Sequence, residues 1–301
     1  MDGSEVAEPS LEEIEWDATV VPQLETVDDV PFEGFDDYPG ADLWKVIGDR
    51  RSTRYFLPYR PVERWKVEMI FRAAHLSSRA INGSFIKTVA IERDAMDPET
   101  REALKTPTNT ADLDMAPLYI FTYANKLAAV GGPGRLKDLY DRGAFAPALG
   151  WSHEFVDKVV GETILRPLSK DDWNRTWIAS IEAGQAIAHM LLMITALGLG
   201  ACCKSFVAES VKESFKVPDH FYPCWMILVG YPAEHPQAGG QRPRPPLAED
   251  YFWGDFETPF EPTPDVTEEL KRRKLLQRTA PYPWRDEELR YISRAFGLPE
   301  E

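Results

Sequence analysis

Residues 172–203 read DWNRTWIASIEAGQAIAHMLLMITALGLGACC. Ala, Ile, Leu and Met dominate and no proline interrupts, so the stretch predicts one long helix from Asp172 to Leu197, capped by Asp171 or Asp172. Its apolar residues occupy more than one face, as in a helix covered by its own core on one side and by a second surface on the other. Glu182 and His189 interrupt it and Lys204 follows, so it reads as a buried helix of a soluble protein, not a membrane span, with His189 a satisfied core or interface histidine. Gly198-Leu199-Gly200 ends it, since glycine accepts the left-handed backbone of a helix stop.

Working outward, Trp225 to Gly230 predicts a central strand closed by Tyr231-Pro232. Upstream, Lys87 to Glu92 and Leu118 to Tyr123 predict two more strands, the second after Pro117, which suits a strand start. Val62 to Ala74 has Trp65, Met69, Ile70 and Ala73 at helical spacing, and Asp42 to Val46 predicts a short helix with Asp42 as its cap. Within 126–169 the sequence gives fewer signals: a Gly-Gly-Pro-Gly turn, a short helix at Arg135 to Asp141, and several Trp and Phe residues in loops. Residues 232–265 are proline-rich and supply no compact core; Thr267 to Thr279 and Asp286 to Phe296 predict helices. The order helix, strand, strand, long helix, strand makes one mixed domain without internal repeats.

The net charge of −15 is localised. Residues 1–44 hold 14 of the 49 acidic residues and no Lys or Arg, leaving 35 acidic against 34 basic residues in the rest. The folded body is therefore almost neutral and has no basic excess with which to neutralise nucleic-acid phosphates. The acidic leader can be a solubilising tail, an arm on a neighbouring surface, or a recognition element for a basic partner. Its start lacks the basic, apolar pattern of a targeting signal, and three cysteines build no disulfide framework; both suggest a reduced, cytoplasmic setting.

The chemistry-bearing candidates begin with Arg50-Arg51-Ser52-Thr53-Arg54. Three guanidinium groups within five residues, with a hydroxyl among them, suit a dianionic phosphate; a solvated basic turn making surface ion pairs explains them equally well. Arg242 and Arg244, set among prolines, are a second basic pair that converges on the same anion or simply forms a basic linker. Asn82 can donate and accept at a heterocycle edge, or serve as a turn residue. Small residues across Gly198, Leu199, Gly200 and Ala201 allow close backbone approach to a planar ligand, or merely stop a helix. Adjacent Cys202 and Cys203, with Cys224, read as packed thiols. No metal-binding pattern, P-loop, G-x-S-x-G or G-x-G-x-x-G signature is present.

Taken in order, Arg50-Arg51-Ser52-Thr53-Arg54-Tyr55-Phe56, the loop at Asn82, Ala196-Leu197-Gly198-Leu199-Gly200, and Gly230-Tyr231-Pro232 followed by Arg242 or Arg244 resemble the FMN-dependent nitroreductase superfamily. The likeness spans about residues 44–250. It implies an α+β, three-layer fold with a central mixed, mainly antiparallel sheet and surrounding helices, flanked by an acidic extension (1–43) and a C-terminal extension (251–301) packed on the same domain or a dimer partner. It also implies an FMN phosphate held by Arg50, Ser52 and Arg54, closed by Arg242 or Arg244, with Arg51 turned to the phosphate or to solvent. Asn82 would then meet the flavin ring and Gly198 to Cys202 its reactive edge, in an intertwined homodimer. The loop Ser78-Arg79-Ala80-Ile81-Asn82-Gly83-Ser84 lacks the proline, glutamine and tryptophan of the P-S-x-x-N-x-Q-P-W pattern, which bears on acceptor choice more than on FMN binding.

The implied activity is hydride transfer at flavin N5, from NADH or NADPH to a nitroaromatic, quinone, enone or halophenol, with no side-chain acid, base or nucleophile assigned. Arg79, Trp151, Trp173 and Trp177, with Phe155 and Tyr140, are candidates for the substrate pocket, or for ordinary packing. A specialised flavin oxidase or dehydrogenase, a flavin-fragmenting enzyme, and a nonenzymatic FMN-binding protein are the alternatives.

Overall fold

The structure is a computed structural model describing residues 41–235, 240, 244–276 and 281–299. Its centre is β2 (Leu118–Asn125), whose residues are buried on both faces as far as Ala124. A strand apolar on both sides needs cover on both sides. β1 (Ile86–Glu92) pairs with one edge of β2 and β4 (Phe221–Gly230) with the other, while β3 (Gly200–Lys204) lies outside β4. Val89 faces Phe121, Ile120 faces Ile227 and Cys202 faces Leu228 across these antiparallel ladders. The mixed character comes from one isolated parallel bridge, Ser52 to Ala201.

Between Phe121 and Tyr123 the register shifts against β4. Thr122 resolves the irregularity with its own hydroxyl, which donates to the Trp225 carbonyl at 2.8 Å and accepts from the Trp225 N–H at 3.0 Å. Pro223, which has no amide proton to offer a ladder, pairs with Tyr123 at this irregularity.

Alternation along the strands builds two cores. Leu118, Ile120, Ile227 and Val229 pack on Val67 and Ile70 of α2 (Arg64–His75) and on Ile187, Met190 and Ile194 of α4 (Asp172–Ala196). On the other face Tyr119, Phe121, Met226 and Leu228 meet Phe56, Leu104, Leu113 and Ile292, the last from α5 (Arg285–Phe296). Two helical layers thus enclose the sheet. α1 (Ala41–Asp49) precedes the first layer, and α3 (Gly132–Asp141) stands outside it.

α4 begins as expected: the Asp171 carboxylate accepts the Trp173 N–H at 3.0 Å. It ends at Ala196, and Gly198 takes a φ of 72°. Its small buried residues Ala179, Ala183 and Ala186 allow close approach, while Trp173, Trp177 and Ile181 at four-residue spacing remain exposed. By length and composition alone α4 could cross a membrane.

Several expectations are corrected. Residues 153–170, where no helix is expected before α4, are helical: His153–Phe155, a π-helix over Val156–Leu165, and Arg166–Lys170. Val156, Val160 and Leu165 are buried at intervals of four and five, a spacing that the 3.6-residue template misses. Gly200, read as part of a helix stop, opens an edge strand that runs to Lys204. Asp42 lies inside the first turn of α1, not at its cap. The helix placed at Thr267 to Thr279 runs Pro264–Arg272, and Lys274 has a φ of 57° just beyond it; residues 277–280 of that span lie outside the described residues.

Candidate active site

The basic turn leaves α1 in extended form. Ser52 bridges Ala201, and the Thr53 N–H donates to the Ala201 carbonyl at 2.9 Å. Extended backbone sends alternate side chains to opposite sides. Thr53 is buried directly against Gly200, where an added Cβ would lie 2.5 Å from Thr53 Oγ1. Arg51 is likewise drawn inward: its Nη2 lies 3.3 Å from Glu234 Oε1 and donates to the His235 carbonyl at 3.0 Å. The Arg51 guanidinium is thus held on the Glu234 side of the turn. Burial is the largest influence on the Arg51 guanidinium and lowers its pKa, with Glu234 opposing.

Arg50, Ser52 and Arg54 alternate with these inward residues. Among the described residues neither Arg50 nor Arg54 has a carboxylate partner; the guanidinium of Arg54 donates only to the Ser52 carbonyl, at 3.3 Å. Glu234 also accepts the Arg54 backbone N–H, at 3.0 Å, and accepts from Arg285 at 2.7 Å. Burial would lower the pKa of Arg285, but its bonds to Glu288 and Glu234 hold it above the ordinary arginine value.

Gly198, Leu199 and Gly200 line a pocket of about 500 Å³ with Arg51, Thr53 and Lys45. Arg50, Ser52 and Arg54 do not line it, but the Ser52–Ala201 bridge joins the basic turn to the strand that opens at Gly200. Arg242 lies outside the described residues, and Arg244 is exposed. A second, apolar groove of about 420 Å³ runs between α1, α2 and α4 along Leu43, Val46, Ala73, Leu192 and Met193.

Asn82 sits on an unusual turn. Ile81 and Asn82 both have positive φ, 50° and 49°. Asn tolerates that conformation; a β-branched residue does not without support. Support comes from two helices. Arg135 of α3 donates to the carbonyls of Ile81 and Val130, each at 3.2 Å, and of Ala128, while Glu182 of α4 accepts the Ala80 N–H at 2.9 Å. Arg79 is turned back onto α2, donating to the Ala74 carbonyl at 3.2 Å.

The aromatic candidates separate. Trp151 stacks on Phe145 with centroids 4.1 Å apart and meets Phe155 edge-on at 5.5 Å, within the small core around Leu136 and Val160. Trp173 and Trp177, 73% and 55% exposed, stand on the open face of α4. None of the three lines either pocket. The three cysteines are free; burial raises the Cys202 thiol and pushes Cys203 and Cys224 up to about 11. No group of His, Cys, Asp and Glu among the described residues could hold a metal ion.

The family model described as "Nitroreductase family" matches residues 47–231, over half of the chain. The chain belongs to the nitroreductase family. Its class of activity is FMN-dependent oxidoreduction. Solved structures share the fold at low identity. A candidate nitroreductase from Exiguobacterium sibiricum in complex with FMN is 15% identical with a TM-score of 0.55, covering 69% of this chain and 95% of its own. A nitroreductase-like protein from Streptococcus mutans is 13% identical at 0.56, covering 71% and 98%. An enone reductase of gut-bacterial fatty acid saturation is 19% identical at 0.54, covering 71% and 99%. No curated protein matches this nitroreductase-family chain in sequence.

The groups that sequence reasoning missed are Glu234, Arg285, Arg135 and Glu182. Each acts across a long sequence separation, 180 residues for Glu234 and Arg54 and 54 for Arg135 and Ile81. No local pattern marks them.

Proposed function

We propose that the protein takes reducing equivalents from NADH or NADPH and passes them through FMN to an aromatic or conjugated small molecule, such as a nitroaromatic, quinone, enone or halophenol. The observation supporting the cofactor's placement is the pair Arg50 and Arg54, without carboxylate partners among the described residues, around Ser52, while Arg51 between them is neutralised by Glu234. A phosphate dianion matches that donor set, and Arg242 or Arg244 completes it. FMN, when bound, supplies the hydride-accepting and hydride-donating centre.

The residues of the chain bind and orient. Arg50, Ser52 and Arg54 anchor the phosphate, the Asn82 turn presents an amide to the ring, and the backbone from Gly198 to Ala201 borders the site. Proton transfer is not assigned to a side chain, since simple hydride transfer needs no side-chain acid or base.

The protein works in the cytoplasm as a homodimer joined through the open face of α4, with residues 44–250 as the FMN-binding unit and 251–301 as an extension packed on it. Purified protein should absorb at roughly 370 and 450 nm, and anaerobic NADH or NADPH should bleach the longer-wavelength band. Arg50→Ala and Arg54→Ala should lower FMN occupancy more than thermal stability. Folded protein that takes up no FMN when offered an excess would end this reading.

A further inference from the structure

Glu234 lies just after β4 leaves the sheet, and its side chain is 1% exposed. Both carboxylate oxygens are committed. Oε1 accepts the Arg54 backbone N–H at 3.0 Å and faces Arg51 at 3.3 Å; Oε2 accepts from Arg285 at 2.7 Å. Glu288 extends the chain of charges, accepting from Arg285 at 2.7 Å and from the His235 N–H at 2.6 Å. Two guanidinium groups and two carboxylates balance here, drawn from the basic turn, the exit of β4 and α5. The helix α5 lies beyond residue 231, where the family match ends.

A buried carboxylate that loses one of its cationic partners is left under-neutralised and draws in water or moves. Glu234 is also the group that fixes the Arg54 amide, and so the backbone from which the neighbouring guanidinium groups project. Arg285 therefore acts on the turn without being part of its outward face.

We infer that Glu234 and Arg285 are positioning residues for the anion-binding turn, through which the C-terminal helix sets how tightly a ligand's phosphate is held. The inference rests on the phosphate placement proposed above. A network that merely stabilised the fold would affect every ligand equally, whereas one acting through the turn affects only ligands that carry a phosphate.

The test compares FMN with riboflavin, which lacks the phosphate, by fluorescence titration of the full-length apoprotein. Arg285→Ala should weaken FMN binding about tenfold or more while riboflavin binding changes little, and Arg285→Lys should recover part of the loss. In an Arg50→Ala/Arg54→Ala background the same substitution should add almost nothing, because the route it acts through is already gone. If Arg285→Ala does not fold, Glu288→Gln loosens Arg285 more gently and is read by the same ratio. Equal weakening of both ligands, or of neither, would overturn the positioning role. Wild-type protein that binds riboflavin as tightly as FMN would instead overturn the phosphate site itself.

Discussion

Arg135 donates to the Ile81 carbonyl at 3.2 Å, and Ile81 holds a left-handed backbone that β-branched residues avoid. All three guanidinium nitrogens of Arg135 go to backbone carbonyls, one in the turn and two, of Ala128 and Val130, in the segment before α3, so the side chain ties the turn to that segment. Arg135→Met keeps the aliphatic length and removes every donor. We expect it to cost about 2–4 kcal/mol in urea unfolding. A loss below about 0.5 kcal/mol would mean that water replaces the guanidinium without penalty.

Gly200→Ala should destabilise the protein. Glycine in a strand ordinarily costs about 0.5–1 kcal/mol relative to alanine, so the swap would help in open space. Here the new Cβ would lie 2.5 Å from Thr53 Oγ1 and 2.6 Å from both Thr53 Cβ and Cγ2, and a β-branched side chain cannot swing away. Overpacking of this kind costs about 1–3 kcal/mol, which outweighs the backbone gain. Thermal unfolding should show a lower Tm, with FMN affinity falling in parallel as the Ser52–Ala201 bridge shifts.

Burial keeps the thiols protonated. With a pKa of about 11, about one Cys203 side chain in a thousand is ionised at pH 8. Native alkylation by iodoacetamide, followed by mass spectrometry, should therefore accelerate about tenfold per pH unit up to about pH 10. A plateau near pH 9 would show that the thiol is not held in its neutral form. Linkage has a definite sign: the stabilisation is complete below the unfolded thiol pKa and is lost as pH rises from there toward 11.

The open face of α4 gives a further test. Trp177 and Ile181 lie one turn apart and are both exposed. Trp177→Glu/Ile181→Asp should convert the proposed dimer to monomer in sedimentation experiments, with little loss of secondary structure. A wild-type protein that sediments as a monomer at micromolar concentration would remove the dimer from the proposal.

Much of the scaffold was legible because its signals are local. β2, β4 and α4 are long apolar runs bounded by Pro117, Pro232 and Gly198, and their positions follow from the sequence within a few residues. β3 was not legible: Gly200 to Lys204 is short, without alternation, and its small residues are explained only by the Thr53 packed against Gly200. The π-helix was missed because its buried residues keep a different period. The Arg-Ser-Arg cluster was visible as chemistry, but which arginine turns inward depends on Glu234, a single acidic residue with nothing beside it to announce a partner.

Residues 51, 234 and 285 meet at one corner, so that corner cannot close during synthesis until α5 has left the ribosome. A nascent chain that already holds the whole sheet would still lack the second cation of Glu234. Final shaping of the turn therefore waits on α5, and a product stopped short of residue 285 should lack both this corner and the cover that Ile292 gives one face of the sheet.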